Sequence, residues 1–217
     1  MSSVQALDDF DDLPPGKIRP SLRMTEEEFV AWADEDTRAE WVDGEAIVRA
    51  PESGEHSNLG WRLQTLFKHF MGRRDLGEAR GPNFMLRLPN QRRRRVPDLL
   101  FVTKDHFDRL RPNHLEGAPD LCIEMVSPDS QSRDRREKYL EYEQASVWEY
   151  WIVDPVSRNL EAYALDASAQ AFGPILIDAD ERIPSTVLPG FYLRAASLFD
   201  AKLPAVIAIL RELGIQP

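Results

Sequence analysis

From Ser57 to Met71 the apolar positions Leu59, Leu63, Leu66, Phe67 and Phe70 recur at helical spacing, the strongest periodic signal in the chain. This predicts a long helix packed on a sheet. Two short apolar runs, Leu99 to Val102 and Leu121 to Val126, are too brief for helices and are bounded by Pro, Asp and Ser, so each reads as a buried strand. Asn83 to Leu88 reads as another, with Val96 to Val102 returning beside it, and Trp148 to Val153 as a fourth. Before that fourth strand, Ser130 or Ser132 can cap a helix from Ser132 to Gln144 with Tyr139, Tyr142 and Ala145 on its inner face. Asp105 to Arg111 reads as a short helix on the way to Leu121. Leu160 to Leu165, Ile175 to Ile177 and Phe191 to Leu193 look like further strands, followed by a terminal helix from Leu203 to Leu213. The pattern is mixed α/β.

Upstream, Thr25-Glu26-Glu27-Glu28 fits a capping box, and Phe29 with Trp32 gives the helix after it an apolar side. Glu40 to Val48 reads as a hairpin, because Asp43-Gly44 suits the positive dihedrals of a two-residue turn. Glu40 and Val42 then face one way and Trp41 the other. Period two does not choose between the faces: with Trp41 inside, Glu40 is exposed; with the Glu40 side inward, it offers a carboxylate.

The 217 residues, 42% hydrophobic, are enough for one domain with a sizeable core, taken as residues 21–217. Residues 1–20 hold Asp8, Asp9, Asp11, Asp12 and three prolines, a composition expected of a flexible acidic tail. A formal charge of -10 and a pI near 5.0 exclude coating of nucleic acid by bulk electrostatics. The absence of a signal peptide and of a stretch long enough to span a bilayer gives the expectation of a cytoplasmic protein with no membrane partner. Cys122 lies within an apolar strand and reads as a small core residue, and the other histidines, His69, His106 and His114, have no zinc spacing.

Both central strands carry a carboxylate. Asp98 opens the first and Glu124 interrupts the second, where an ionised group costs several kcal/mol unless a cation offsets it. Four adjacent arginines, Arg92 to Arg95, fall in the predicted loop after Leu88; they are either local positive charge for a phosphate backbone or a soluble hairpin tip. His56 at the helix start either caps backbone or contacts a metal-bound water or phosphate. Lys138 either makes a surface pair with Asp134, one turn back, or joins the acids. Tyr150 and Trp151 are read as core in preference to a base-stacking platform.

The order Pro97-Asp98, then Glu124 in a following strand, then a lysine resembles the PD-(D/E)XK nuclease superfamily with its restriction-endonuclease fold. The position where D/E-x-K usually carries lysine is Val126 here, but several branches move the lysine to the next helix. One such branch, the Uma family, is similar over roughly Met24 to Tyr163. Its pattern is matched by Glu40 with Asp43-Gly44-Glu45, by His56, Pro97-Asp98, Glu124-Met125-Val126-Ser127-Pro128, Asp134 with Lys138 and Tyr142, and Glu149-Tyr150-Trp151 before Asp154-Pro155. A glycine usual before Val147 is Ser146 here, which touches only a turn.

The resemblance implies a restriction-endonuclease-like core of helix, three strands, helix and strand, with an N-terminal hairpin and C-terminal additions. The core maps onto Ser57 to Met71, Asn83 to Leu88, Asp98 to Val102, Leu121 to Val126, Ser132 to Gln144 and Trp148 to Val153. It also implies Mg²⁺ or Mn²⁺ held by Asp98, Glu124, the Met125 carbonyl and Glu40, with Asp98, Glu124, Lys138 and His56 as catalytic residues. The expected function is metal-dependent endonuclease activity on nucleic acid, DNA in the first instance, by a homodimer with one site per strand. Against it stand a catalytically degenerate nuclease fold serving as a binding or assembly module, and hydrolysis of a smaller phosphodiester.

Overall fold

A computed structural model describes residues 21–34, 37–48, 54–72, 74–126, 133–199 and 205–215. In chain order these form β1 (Leu22–Arg23), α1 (Glu26–Trp32), β2 (Ala39–Val42), β3 (Glu45–Val48), α2 (Gly54–Met71), β4 (Gly77–Arg80), β5 (Met85–Leu88), β6 (Arg93–Arg95), β7 (Leu99–Thr103), β8 (His114–Glu116) and β9 (Leu121–Met125). Then come α3 (Arg133–Gln144), β10 (Glu149–Asp154), β11 (Asn159–Asp166), β12 (Ala171–Pro174), β13 (Ile183–Pro184), β14 (Tyr192–Leu193), α4 (Ala195–Leu198) and α5 (Ala205–Glu212). The acidic segment 1–20 and the candidate caps Ser130 and Ser132 lie outside the described residues, as does the side chain of Asp134. No described helix is long and apolar enough to cross a membrane.

The central sheet has the order β12-β11-β10-β9-β7-β4. Its one parallel pair is β9 with β10, and α3 supplies the crossover that parallel neighbours require. Alternation divides these strands between two cores. Leu99, Phe101, Leu121, Ile123, Met125, Trp151 and Val153 meet the apolar stripe of α2. On the opposite side, Leu100, Val102, Cys122, Tyr150 and Ile152 meet Tyr142 of α3 and Leu86, Leu88 and Leu115 of a second sheet, ordered β1-β3-β2-β6-β5-β8. Tyr150 and Trp151 are therefore packed on opposite faces inside the protein, as core residues.

Several expectations need correction. The strand over Asn83 to Leu88 is shorter and lies in the second sheet, paired with β6 and β8 and not with β7. The neighbour of β7 is β4, so helix, three strands, helix and strand run through α2, β4, β7, β9, α3 and β10. β4 reads Gly-Glu-Ala-Arg, with no apolar alternation, because it is an edge strand and charges there discourage pairing with other chains. Downstream, the strand is β12 and not Ile175 to Ile177, where Leu176 and Ile177 are exposed. Pro174 is tolerated because β12 is the other edge. The helix expected over Asp105 to Arg111 is a 3-10 segment, Lys104–Arg109, irregular at His106.

The N-terminal elements form as their local chemistry dictates. Thr25 Oγ1 accepts from the Glu28 N–H at 3.1 Å while Glu28 Oε2 accepts from the Thr25 N–H at 2.8 Å. The hairpin turns through Asp43 and Gly44, both at positive φ. The choice between faces at Glu40 and Trp41 does not arise, because both are buried. The second sheet is covered on both sides: Trp41 packs with Phe29 of α1, and Glu40 faces the inner side, toward Arg95 and Lys138.

Candidate active site

The β7 and β9 register pairs Leu99 with Ile123 and Leu100 with Cys122. One step further along that ladder sets Asp98 opposite Glu124, on the face covered by α3. Asp98 Oδ2 accepts the Met125 N–H at 2.7 Å, so the amide of Met125 fixes this carboxylate. His56, in the first turn of α2, brings Nε2 to 3.0 Å from Asp98 Oδ1 in a buried contact. His56 is thus aimed at Asp98.

Helix α3 closes the other side. Lys138 and Tyr142 are one turn apart and so share a face. The Lys138 ammonium donates to Glu124 Oε2 at 2.8 Å, and the Tyr142 hydroxyl donates to Glu124 Oε1 at 2.6 Å. The same ammonium lies 3.2 Å from Glu40 Oε1. Lys138 is 6% exposed, so it is not on the surface but joins the acids. The structure therefore brings Glu40, His56, Asp98, Glu124 and Lys138 into one buried cluster.

The arginine run behaves as neither of its two readings suggested. Arg93 to Arg95 form β6, and alternation sends Arg93 and Arg95 to the α3 side and Arg94 to the α1 side. Arg95 donates to Glu40 Oε2 at 2.9 Å and grips Glu141 of α3 through two bonds of 2.8 Å. Arg93 adds a bond of 2.8 Å to Glu141, and Gln91 donates to the Glu141 carbonyl at 2.8 Å. Arg94 pairs with Glu26 at 2.8 Å. Only Arg92 of the four is exposed. Arg93 and Arg95 thus dock α3, and Arg94 docks α1, onto the second sheet instead of presenting charge to solvent. Glu141 and its pairing with Arg95 escaped the sequence reading, although Glu141 lies three residues from Lys138 and thus on its face.

The chain matches the Uma2 family, described as "Putative restriction endonuclease", over residues 26–196. It belongs to the Uma2 family. A crystal structure from Anabaena variabilis, of a "putative nuclease belonging to DUF820", superposes with a TM-score of 0.68 at 19% identity, covering 81% of this chain and 97% of that one. Among curated proteins no match is found. The Uma2 chain thus has a PD-(D/E)XK-like nuclease fold.

Electrostatics in the Uma2 site follow from burial. Burial opposes the charge of Arg95, but the carboxylates of Glu40 and Glu141 outweigh it and hold its pKa well above the ordinary value. Burial, with Cys122 and Glu124 nearby, pushes the Tyr142 phenol well up, so it keeps the proton it donates. The buried Cys122 thiol is pushed up in the same way and is no nucleophile. Among the described residues no three Asp, Glu, His or Cys side chains already converge as a metal site. The donor set nonetheless suits a hard cation: Glu40, Asp98 and Glu124 are buried carboxylates, and carboxylate oxygens are what Mg²⁺ and Mn²⁺ take. A groove of about 710 Å³ between α2 and β4 is lined by Gln64, Lys68, Arg80 and Leu99, on the α2 side of the sheet, and Glu40, His56, Asp98, Glu124 and Lys138 do not line it.

Proposed function

We propose that this Uma2 protein is a metal-dependent endonuclease that hydrolyses phosphodiester bonds, with DNA as substrate. The observation that carries the reading is the buried meeting of Glu124 with Lys138, at the ladder position opposite Asp98. Two carboxylates and an ammonium at one spot suit a reaction that builds negative charge on phosphoryl oxygens. Asp98, Glu124, Glu40 and the main-chain carbonyl of Met125 would hold Mg²⁺ or Mn²⁺, oxygen ligands being what these ions take. When bound, such an ion polarises the phosphoryl group and lowers the pKa of a water.

The protein's own groups do the rest. The contact from His56 Nε2 orients Asp98, and the Tyr142 hydroxyl fixes Glu124, so neither carboxylate has to be ordered during the reaction. Lys138 supplies positive charge beside the scissile phosphate or orients the attacking water. Cleavage of both strands of a duplex calls for two such sites, and a two-fold dimer is the form proposed.

The competing reading, a degenerate nuclease fold that binds or assembles without cutting, is favoured by one observation: the acids are engaged by protein donors and no ready-made three-ligand cluster exists among the described residues. One experiment separates the two. Purified protein is titrated with Mn²⁺ and Mg²⁺ by calorimetry and assayed on duplex, single-stranded and branched DNA and on RNA, beside Asp98→Ala and Glu124→Ala. Metal-dependent cleavage lost in both variants supports the enzyme; absence of cleavage on every substrate, with metal bound equally by parent and variants, leaves the binding module.

A further inference from the structure

In this buried cluster one cation touches two of the proposed metal ligands. Lys138 Nζ is 2.8 Å from Glu124 Oε2 and 3.2 Å from Glu40 Oε1, with all three side chains at 7% exposure or less. The two acids come from different sheets, Glu40 from β2 and Glu124 from β9, and the ammonium from α3 stands between them. Like charges this deeply buried repel strongly unless a cation separates them. The lysine therefore fills the electrostatic role that a divalent ion would fill between Glu40 and Glu124.

We infer that Lys138 is the resident counter-ion of the metal-free site and that a divalent cation binds by displacing its ammonium from Glu40 and Glu124. This deepens the proposed function and rests on the same metal site. The exchange links two events: the acids gain the ion only as the lysine leaves them, and the released amine is then available to the phosphate. In the absence of metal, Lys138 is locked against the acids and cannot serve catalysis. The anchor of α3 makes such a movement local. Glu141, three residues on, is held by Arg93, Arg95 and Gln91, so the lysine side chain can swing while its helix stays docked.

The test is Mn²⁺ binding by calorimetry to the full chain and to Lys138→Met, Lys138→Arg and Glu124→Gln. Removing a competing charge-assisted pair should make Lys138→Met bind about tenfold tighter or more, a factor of ten being about 1.4 kcal/mol. Lys138→Arg, which keeps the charge, should stay close to the parent, and Glu124→Gln should lose binding. A second measurement uses unaltered protein and does not depend on a variant folding: amine-reactive labelling of Lys138, read by mass spectrometry, should be slight in chelator and rise with Mn²⁺. If Lys138→Met binds no tighter than the parent, or labelling does not rise with Mn²⁺, while Glu124→Gln still abolishes binding, the exchange is wrong and the metal site stands. If the parent binds no Mn²⁺, both fail.

Discussion

Arg92 and Arg95 stand three residues apart in one run of identical side chains, yet the structure gives them opposite weights. Arg95 is 4% exposed and makes three charge-assisted bonds, one of 2.9 Å to Glu40 and two of 2.8 Å to Glu141. Arg95→Met keeps the volume and removes the cation, leaving two buried carboxylates to Arg93, Lys138 and the Val96 N–H. Breaking a buried pair from one side costs about 3–5 kcal/mol. Arg92 is exposed, with its guanidinium 5.9 Å from the Trp41 ring centroid, a contact worth about 0.5–1 kcal/mol. In urea denaturation followed by tryptophan fluorescence, with a slope of roughly 2–3 kcal/mol/M, Arg95→Met should lower the midpoint by roughly 1–2 M. Arg92→Ala should move it by a few tenths of that. Equal small losses in the two variants would refute the clamp and return the run to solvent.

Other consequences follow from single contacts. Ser146 holds φ +62 at the end of α3, where the Val147 N–H bonds back to the Tyr142 carbonyl, so Ser146→Gly should relieve strain worth about 0.5–1 kcal/mol and raise Tm by about 1–3 °C in calorimetry. Tyr142→Phe removes the 2.6 Å donor to Glu124 and should cost about 1.5–3 kcal/mol by urea titration, without change in secondary structure by circular dichroism. Glu26 is held below its ordinary value of 4.5, first by its hydrogen bond from Arg87 and also by Arg94. A carboxylate with a depressed folded pKa contributes stability that is present above its unfolded pKa and is lost as pH falls through the folded one. Parent and Glu26→Gln should therefore differ by about 1 kcal/mol at neutral pH and converge on acidification below about pH 4, as measured by parallel urea curves.

Much of this was legible because local signals and tertiary demands coincide. The α2 stripe, the Asp43-Gly44 turn and the Thr25 capping box each encode their structure within a few residues, and the apolar runs at β7 and β9 are buried on both faces. The acid positions in those runs could be picked out because a charge in an apolar strand demands a partner. What stayed hidden depends on neighbours distant in sequence. β4 and β12 are edge strands whose Gly, Pro and charged residues carry no alternation. The arginine run looked solvated because its partners, Glu26, Glu40 and Glu141, lie 46 to 68 residues away. Glu40 and Trp41 could not both be placed inside by period two, since that argument assumes one wet face and the second sheet has none at that point.

The most direct measurement is an anomalous difference map from crystals soaked in Mn²⁺ at a wavelength near the manganese edge. The expected result is a peak within coordination distance of Asp98 and Glu124, with the Lys138 amine moved off Glu124. A well-diffracting soaked crystal with no peak there, and Lys138 still seated between Glu40 and Glu124, would contradict the metal-dependent site.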